Sequence, residues 1–128
     1  MRSYKKLEPK VKRATGKLLR ITKNTRKSVA VFLVDNATMK KLNRESRSKN
    51  QVTNVLAFPA PKDFLLPPGV PKTLGEIYLA PDYIEKKGED PIFLLVHGFL
   101  HLLGFDHKGK SDTMKMQKAE KWLLHKLA

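Results

Sequence analysis

The pattern of apolar and polar positions changes character several times along the chain. Val11, Ala14, Leu18 and Ile21 recur at spacings of three and four, which predicts an amphipathic helix over residues 8–23 with a heavily basic outer face. From Ser28 to Asp35 the run S-V-A-V-F-L-V-D is short, β-branched and almost wholly apolar, and predicts a buried strand. Asp35 or Asn36 then caps a short helix through about Leu42. Residues 52–58, V-T-N-V-L-A-F, predict a second strand stopped by Pro59 and Pro61. The stretch from Pro59 to Thr73 holds five prolines and a glycine, so it reads as a surface loop, with Phe64, Leu65 and Leu66 lying over the body of the domain. Gly75 to Ala80 predicts a third strand, and Asp82 opens a turn of helix that is exhausted by Gly88.

The strongest helical signal follows. Asp90 is suited to the N-cap, Pro91 to the first helical position, where a missing N–H does no harm, and Gly104 to the left-handed residue beyond the helix end. The body between them, I-F-L-L-V-H-G-F-L-H-L-L, is apolar on every side, which places this helix in the centre of the domain. A last helix starts near Ser111 and runs to the end, with Met116, Ala119, Leu123 and Leu127 along its inward stripe. Strands mixed with helices in this order predict an α+β fold, a small mixed β-sheet packed against helices, formed by one domain spanning residues 1–128.

Composition narrows the chemistry. The absence of cysteine excludes a disulfide framework, a thiolate nucleophile and any sulfur-ligated metal. No apolar run approaches the roughly 18 residues of a membrane span, and the basic amino terminus has no signal-peptide pattern, so a soluble, cytoplasmic protein is expected. The net charge of +14 is unevenly spread: residues 1–50 carry 16 basic and 3 acidic side chains, residues 51–128 carry 10 and 9. A concentrated positive field of this kind attracts a polyanion, whether RNA, DNA or an anionic membrane surface.

Within the central helix, His97 and His101 are four residues apart, about 40° apart around the axis and one turn apart along it. After Gly104 reverses the chain, His107 can fold back toward the same point. One imidazole in an apolar helix is ordinarily a core residue bonded to backbone, but an unpaired buried imidazole costs on the order of 1–3 kcal/mol. Two on one face demand partners, and a shared metal satisfies both. Three histidines suit a single zinc ion and leave the fourth tetrahedral position open to water, as in catalytic sites; the spacing alone also admits nickel, iron or manganese. His125, on the final helix, reads as a surface residue. The spacing H-x-x-x-H-x-x-G-x-x-H matches the zinc-protease pattern of metzincins except that Gly98 stands where their general-base glutamate belongs, which argues against proteolysis.

The segment His97 to His107, H-G-F-L-H-L-L-G-F-D-H, resembles the H-G-x-L-H-L-x-G-Y-D-H signature of the YbeY family of bacterial rRNA-maturation endoribonucleases, with Phe105 in place of tyrosine. Leu42, Asn43 and Arg47 resemble its L-N-x-x-x-R segment, Thr53 to Pro59 its T-D-V-L-S-F-P, Leu74 to Ile77 its L-G-D-I, and Met116 with Glu120 its M-x-x-x-E. The resemblance implies that His97, His101 and His107 are zinc ligands, that His97, His101 and Arg47 are catalytic, with Arg47 the basic residue beside the metal, and that Thr53 to Phe58 walls the cleft. Asp106 is expected to support a ligand rather than bind metal itself. The chain departs from the family at Asn54 and Ala57, where aspartate and serine are commoner. It is also shorter, with a first strand reduced to Met1–Tyr4 or lost, too few residues at 81–91 for the usual helix, and a sheet expected to have one strand fewer.

The function the resemblance implies is a zinc-dependent, single-strand-specific endoribonuclease of rRNA maturation and ribosome quality control at the small-subunit rRNA 3′ end. Its expected partners are rRNA, the small ribosomal subunit and ribosomal proteins, with no DNA and no membrane. The alternative is a non-catalytic, ribosome-associated metalloprotein that binds rRNA. A hydrolase of small anionic substrates is disfavoured, because the basic segment exceeds what such a ligand requires.

Overall fold

The computed structural model describes residues 4–61 and 66–128. In chain order the elements are α1 (Leu7–Ile21), β1 (Lys27–Leu33), α2 (Asn36–Arg47), β2 (Val55–Pro59), β3 (Lys72–Leu79), α3 (Pro81–Lys86), α4 (Pro91–Leu102) and α5 (Lys110–Leu127). The sheet is three-stranded and mixed, in the order β1-β3-β2, with β3 parallel to β1 and antiparallel to β2. The α+β expectation holds. Among the described residues no strand precedes β1, and no helix is long and apolar enough to cross a membrane.

Several boundaries differ from the sequence expectation for local reasons. Helix α1 ends at Ile21, because the Thr22 hydroxyl donates to the Leu18 carbonyl and Lys23 adopts a left-handed conformation. Strand β1 ends at Leu33 and not at Asp35, whose side chain caps α2 by accepting the Thr38 N–H at 2.8 Å. The Thr38 hydroxyl and N–H hold the Asp35 carboxyl below its usual range. Helix α2 continues past Leu42 to Arg47, since no helix breaker intervenes before the left-handed Ser48. Strand β2 starts at Val55, three residues later than expected, and β3 at Lys72, three residues earlier. Phe64 and Leu65 lie outside the described residues, whereas Leu66 borders a groove with Leu74 and Leu102.

Along β3, Gly75, Ile77 and Leu79 are buried under the helices α1, α4 and α5, and the alternate residues Glu76 and Tyr78 face the other way. Helix α4 fills the centre of this layer. Its Leu95, Phe99 and Leu100 pack with Leu18 of α1, Met116 and Leu123 of α5 and Ile77. Burial of each large side chain contributes about 1.5–3 kcal/mol, whereas the Asp90 cap, which accepts the Ile92 N–H at 2.9 Å, contributes about 1 kcal/mol. Packing therefore holds α4 and capping sets where it starts. The helix is not enclosed on every side: Phe93 is 41% exposed and both imidazoles are half-buried. On the opposite face of the sheet, Met39 of α2 packs with Leu56 and Ala80, flanked by Phe58 and Tyr78.

The early start of β3 depends on a bulge. The β1–β3 register slips between Ser28 and Val29, leaving Leu74 as the extra residue, and Gly75 takes φ +138°. A Cβ there would stand 2.2 Å from the Phe58 carbonyl oxygen and 3.0 Å from Ala60 N and Leu102 Cδ2. Gly75→Ala is expected to destabilise the protein by about 3 kcal/mol or more. Gly88→Ala, also at positive φ but facing open space, should cost only about 1 kcal/mol. Urea denaturation of the two variants checks this, and equal losses would refute the steric account.

Candidate metal centre

Helix α4 aims His97 and His101 out of its one incompletely covered side, toward the cleft beside β2. Their Nε2 atoms lie 3.2 Å apart. Gly104, at φ +100°, reverses the chain after α4, and the following turn returns His107 so that its ring centroid is 5.8 Å from that of His97 and 5.2 Å from that of His101. One nitrogen from each of the three rings falls within 4.8 Å of the others, and among the described residues no further histidine or carboxylate joins the group. A tetrahedral cation bound at 2.0–2.1 Å requires nitrogens about 3.3 Å apart. The His97–His101 pair meets that spacing, and His107, the exposed member of the three, needs a modest inward turn. The donor set is all nitrogen and neutral, which fits zinc and other divalent transition ions.

The other side of His97 is fixed by α5. Its Nδ1 lies 2.9 Å from Oε2 of Glu120, a contact in which the glutamate side chain is only 10% exposed. An Nδ1–H donated to this carboxylate leaves the lone pair on Nε2, the nitrogen turned toward His101 and the state a ligand needs. His101 is kept neutral by another route. Burial, then the charges of His97 and His107, hold its pKa below the ordinary imidazole value, against a backbone hydrogen bond with Phe105 and the charge of Asp106.

The cleft, ≈520 Å³, is walled on one side by β2 and the residues leading into it, Thr53 to Ala57, and on the other by the Gly104–Lys108 turn. Arg47, exposed at the last turn of α2, lines the same cleft. One turn earlier, buried Asn43 donates from Nδ2 to the Gln51 carbonyl at 2.9 Å and ties the segment after α2 back onto the helix that carries Arg47. Asp106 stays outside the ligand group; its Oδ1 accepts the Lys108 N–H and shapes the turn carrying His107. His125 is exposed on α5 and also outside the group.

Gly98 packs against the sheet, where a Cβ would meet Ile77 Cγ2 at 3.2 Å and Val55 Cγ2 at 3.4 Å. A glutamate in the metzincin position would press its charged side chain against the Ile77 and Val55 methyl groups. The Asn54 departure also has a local cause. Its Oδ1 accepts the Val55 N–H at 2.7 Å, and its Nδ2 donates to the Glu89 carboxylate at 3.2 Å. A carboxylate at residue 54 would face that glutamate with like charge.

Sequence reasoning noted Glu120 only as an echo of a family motif and gave it no role. The signal was present: Met116, Glu120, Leu123 and Leu127 form one inward row, and an acid in an apolar row requires a buried partner.

The family model described as Endoribonuclease YbeY matches residues 1–128. The Endoribonuclease YbeY of Chelativorans sp. (strain BNC1) is 41% identical over 109 residues, covering 79% of this chain and 66% of that protein. The Endoribonuclease YbeY of Rhodopseudomonas palustris (strain ATCC BAA-98 / CGA009) is 36% identical over 107 residues, covering 77% and 56%. The match thus spans between 56% and 66% of the length of these two curated relatives. The solution structure of TM1509 from Thermotoga maritima superposes with a TM-score of 0.60 at 26% identity, covering 94% of this chain and 83% of that one. On sequence and fold together, this chain belongs to the YbeY family.

Proposed function

We propose that the 128 residues act as one domain, a zinc-dependent endoribonuclease that cuts single-stranded RNA in the cytoplasm. Its substrate in this reading is the 3′ end of the small-subunit rRNA, met on the small ribosomal subunit among ribosomal proteins. The observation that carries the proposal is the convergence of three imidazole nitrogens within 4.8 Å in an open cleft without a fourth protein donor among the described residues. A structural zinc site is closed by four protein ligands, whereas three leave a position for substrate or solvent. The basic first 50 residues supply the field for a polyanion.

His97, His101 and His107 would hold the cation, which when bound supplies Lewis-acid polarisation of a phosphoryl oxygen and acidifies a water molecule. The chain's own side chains do the remaining work. Glu120 holds the His97 proton on Nδ1 and so fixes the direction of its lone pair. Arg47 clamps a non-bridging phosphate oxygen at the rim and offsets the charge that grows there as the phosphodiester is cleaved. The Thr53–Ala57 wall fixes the side from which the strand approaches.

Two substitutions separate metal from charge. His101→Ala is expected to abolish both bound zinc and cleavage of a single-stranded RNA, whereas Arg47→Gln should retain stoichiometric zinc and slow cleavage about 10²-fold. Metal analysis alongside single-turnover cleavage checks both, and zinc loss with cleavage intact would remove the metal from the mechanism. Glu120→Gln should weaken zinc about 10- to 100-fold while leaving the melting temperature of the metal-free protein nearly unchanged; competition with a chromogenic chelator measures the first and calorimetry the second. An unchanged zinc affinity would reduce Glu120 to a packing role.

Metal removal also leaves a pH signature. His101 is depressed in the folded chain, so below about pH 6.5 the unfolded chain binds more protons than the native one. This contribution to stability is fully present above that value and is lost as pH falls through the folded value. Melting of the chelator-treated protein between pH 8 and 5 should show the loss, and His101→Gln should make the profile shallower. A profile that is the same in wild type and variant would contradict it.

A further inference from the structure

The side of α5 turned away from the metal centre carries the chain's single tryptophan. At about 100° per residue, Ser111, Lys115, Lys118, Trp122, His125 and Lys126 share a sector about 120° wide, and all are exposed. Met116, Glu120 and Leu123 point the other way, into the protein. Trp122 is 50% exposed, with Lys126 Nζ 5.8 Å from the indole centroid and Lys118 one turn before it. No acid lies within the sector: Asp112 stands at its edge and Glu120 is buried against His97. Lysines alone on a helix are ordinarily a solvated face. An open indole between Lys118 and Lys126, with no acid in their sector of the helix, is different, because it pairs a flat apolar surface with a field that selects anions.

The ligand that matches both halves is a planar ring joined to phosphates on either side. We propose that Trp122, with Lys115, Lys118 and Lys126, forms a stacking site for an unpaired base of single-stranded RNA outside the cleft, an inference that rests on the ribonuclease reading. Position supports it. A depression of ≈220 Å³ next to the metal turn is lined by Phe105, Asp106, Asp112 and Lys115. Phe105 and Asp106 also line the metal cleft. A strand leaving the cleft past this turn crosses the depression where Lys115 offsets part of the Asp106 and Asp112 charge, then meets Lys118 and Trp122 on the following turns of α5. The site would hold RNA flanking the scissile bond, and its contribution would appear in binding before chemistry.

Because Trp122 is the only tryptophan, the site reports on itself. The zinc-loaded protein is titrated with a cleavage-resistant 2′-O-methyl oligoadenylate of about twelve nucleotides, with its abasic counterpart and with phosphatidylglycerol vesicles. Indole fluorescence is read beside the anisotropy of end-labelled oligomer. Expected are saturable quenching by oligoadenylate and little by the abasic chain. Trp122→Ala should weaken binding about tenfold, with recovery in Trp122→Phe, and the Lys118→Gln, Lys126→Gln double variant should lower the salt slope by about 2. The exposure of Trp122 leaves the fold of these variants intact, which melting temperatures verify. If anisotropy reports binding while the indole is silent and Trp122→Ala binds equally well, the stacking site is overturned and the ribonuclease reading survives. If no oligonucleotide binds at all, both fall. Equal quenching by the abasic chain overturns stacking, and an indole response to vesicles alone would make the face a membrane contact.

Discussion

Everything at the metal centre depends on how closely α4 approaches the sheet. Residue 98 lies close against Ile77 and Val55, where a Cβ would meet their methyl groups at 3.2 and 3.4 Å and a larger side chain would push helix and sheet apart. That contact sets the depth of the helix, and the depth decides that His97 and His101, one residue before and three after, emerge at the cleft beside β2 instead of sinking into the core. The same contact requires a smooth sheet surface, which Ile77 and Leu79 of the central strand provide. Gly75, which seats β3 under Leu102 by means of the bulge, is the second half of the arrangement. Two glycines, one on the helix and one on the strand, allow a close helix-to-sheet approach, Gly75 because a Cβ there would collide with backbone and Gly98 because larger side chains would widen the gap.

A helix this apolar would normally exclude imidazoles, and the fold accommodates them by giving each a distinct environment. His97 is held from behind by a carboxylate that α5 contributes from an otherwise apolar row. His101 has no such acid among its hydrogen bonds; burial and neighbouring imidazoles keep it neutral. His107 is exposed and tied only to a short turn shaped by Asp106. The three imidazoles thus range from half-buried and carboxylate-bonded to exposed. Such an arrangement offers a metal two nitrogens already at ligand spacing and a third that lies slightly farther out.

Much of this was legible in the residues themselves. The period of α1, the Asp90–Pro91 start and Gly104 end of α4, and the clustering of three of four histidines in eleven residues all depend on local chemistry, and each lies where it was expected. What was not legible depends on the fold. The last turn of α2 is polar, so periodicity is silent there, yet it carries Arg47 to the cleft. Strand β3 begins within a stretch that the spacing of prolines marks as loop, because pairing with β1 overrides local preference. Glu120 stands out in the sequence only through the M-x-x-x-E resemblance, and its partner His97 becomes visible once α5 packs on α4. Asn54 looked like a lost carboxylate, and becomes sensible only beside Glu89, 35 residues away in the chain.

Charge shows the same division between chain and fold. Counted along the sequence, the positive excess belongs almost wholly to residues 1–50, and the second part is close to neutral. In space the second part is not neutral everywhere, because four of its nine acids are engaged by the fold: Glu120 on His97, Asp90 as a helix cap, Glu89 on Asn54, Asp106 within its turn. Its lysines are left facing solvent on α5 around an uncovered indole. Of these carboxylates Glu120 is buried, whereas Glu89 and Asp90 stay exposed and keep their charge, with a reach that screening limits to about 8–10 Å. The electrostatic character of a face therefore follows from which charges the fold has already engaged, and a near-neutral segment can present a strongly cationic surface.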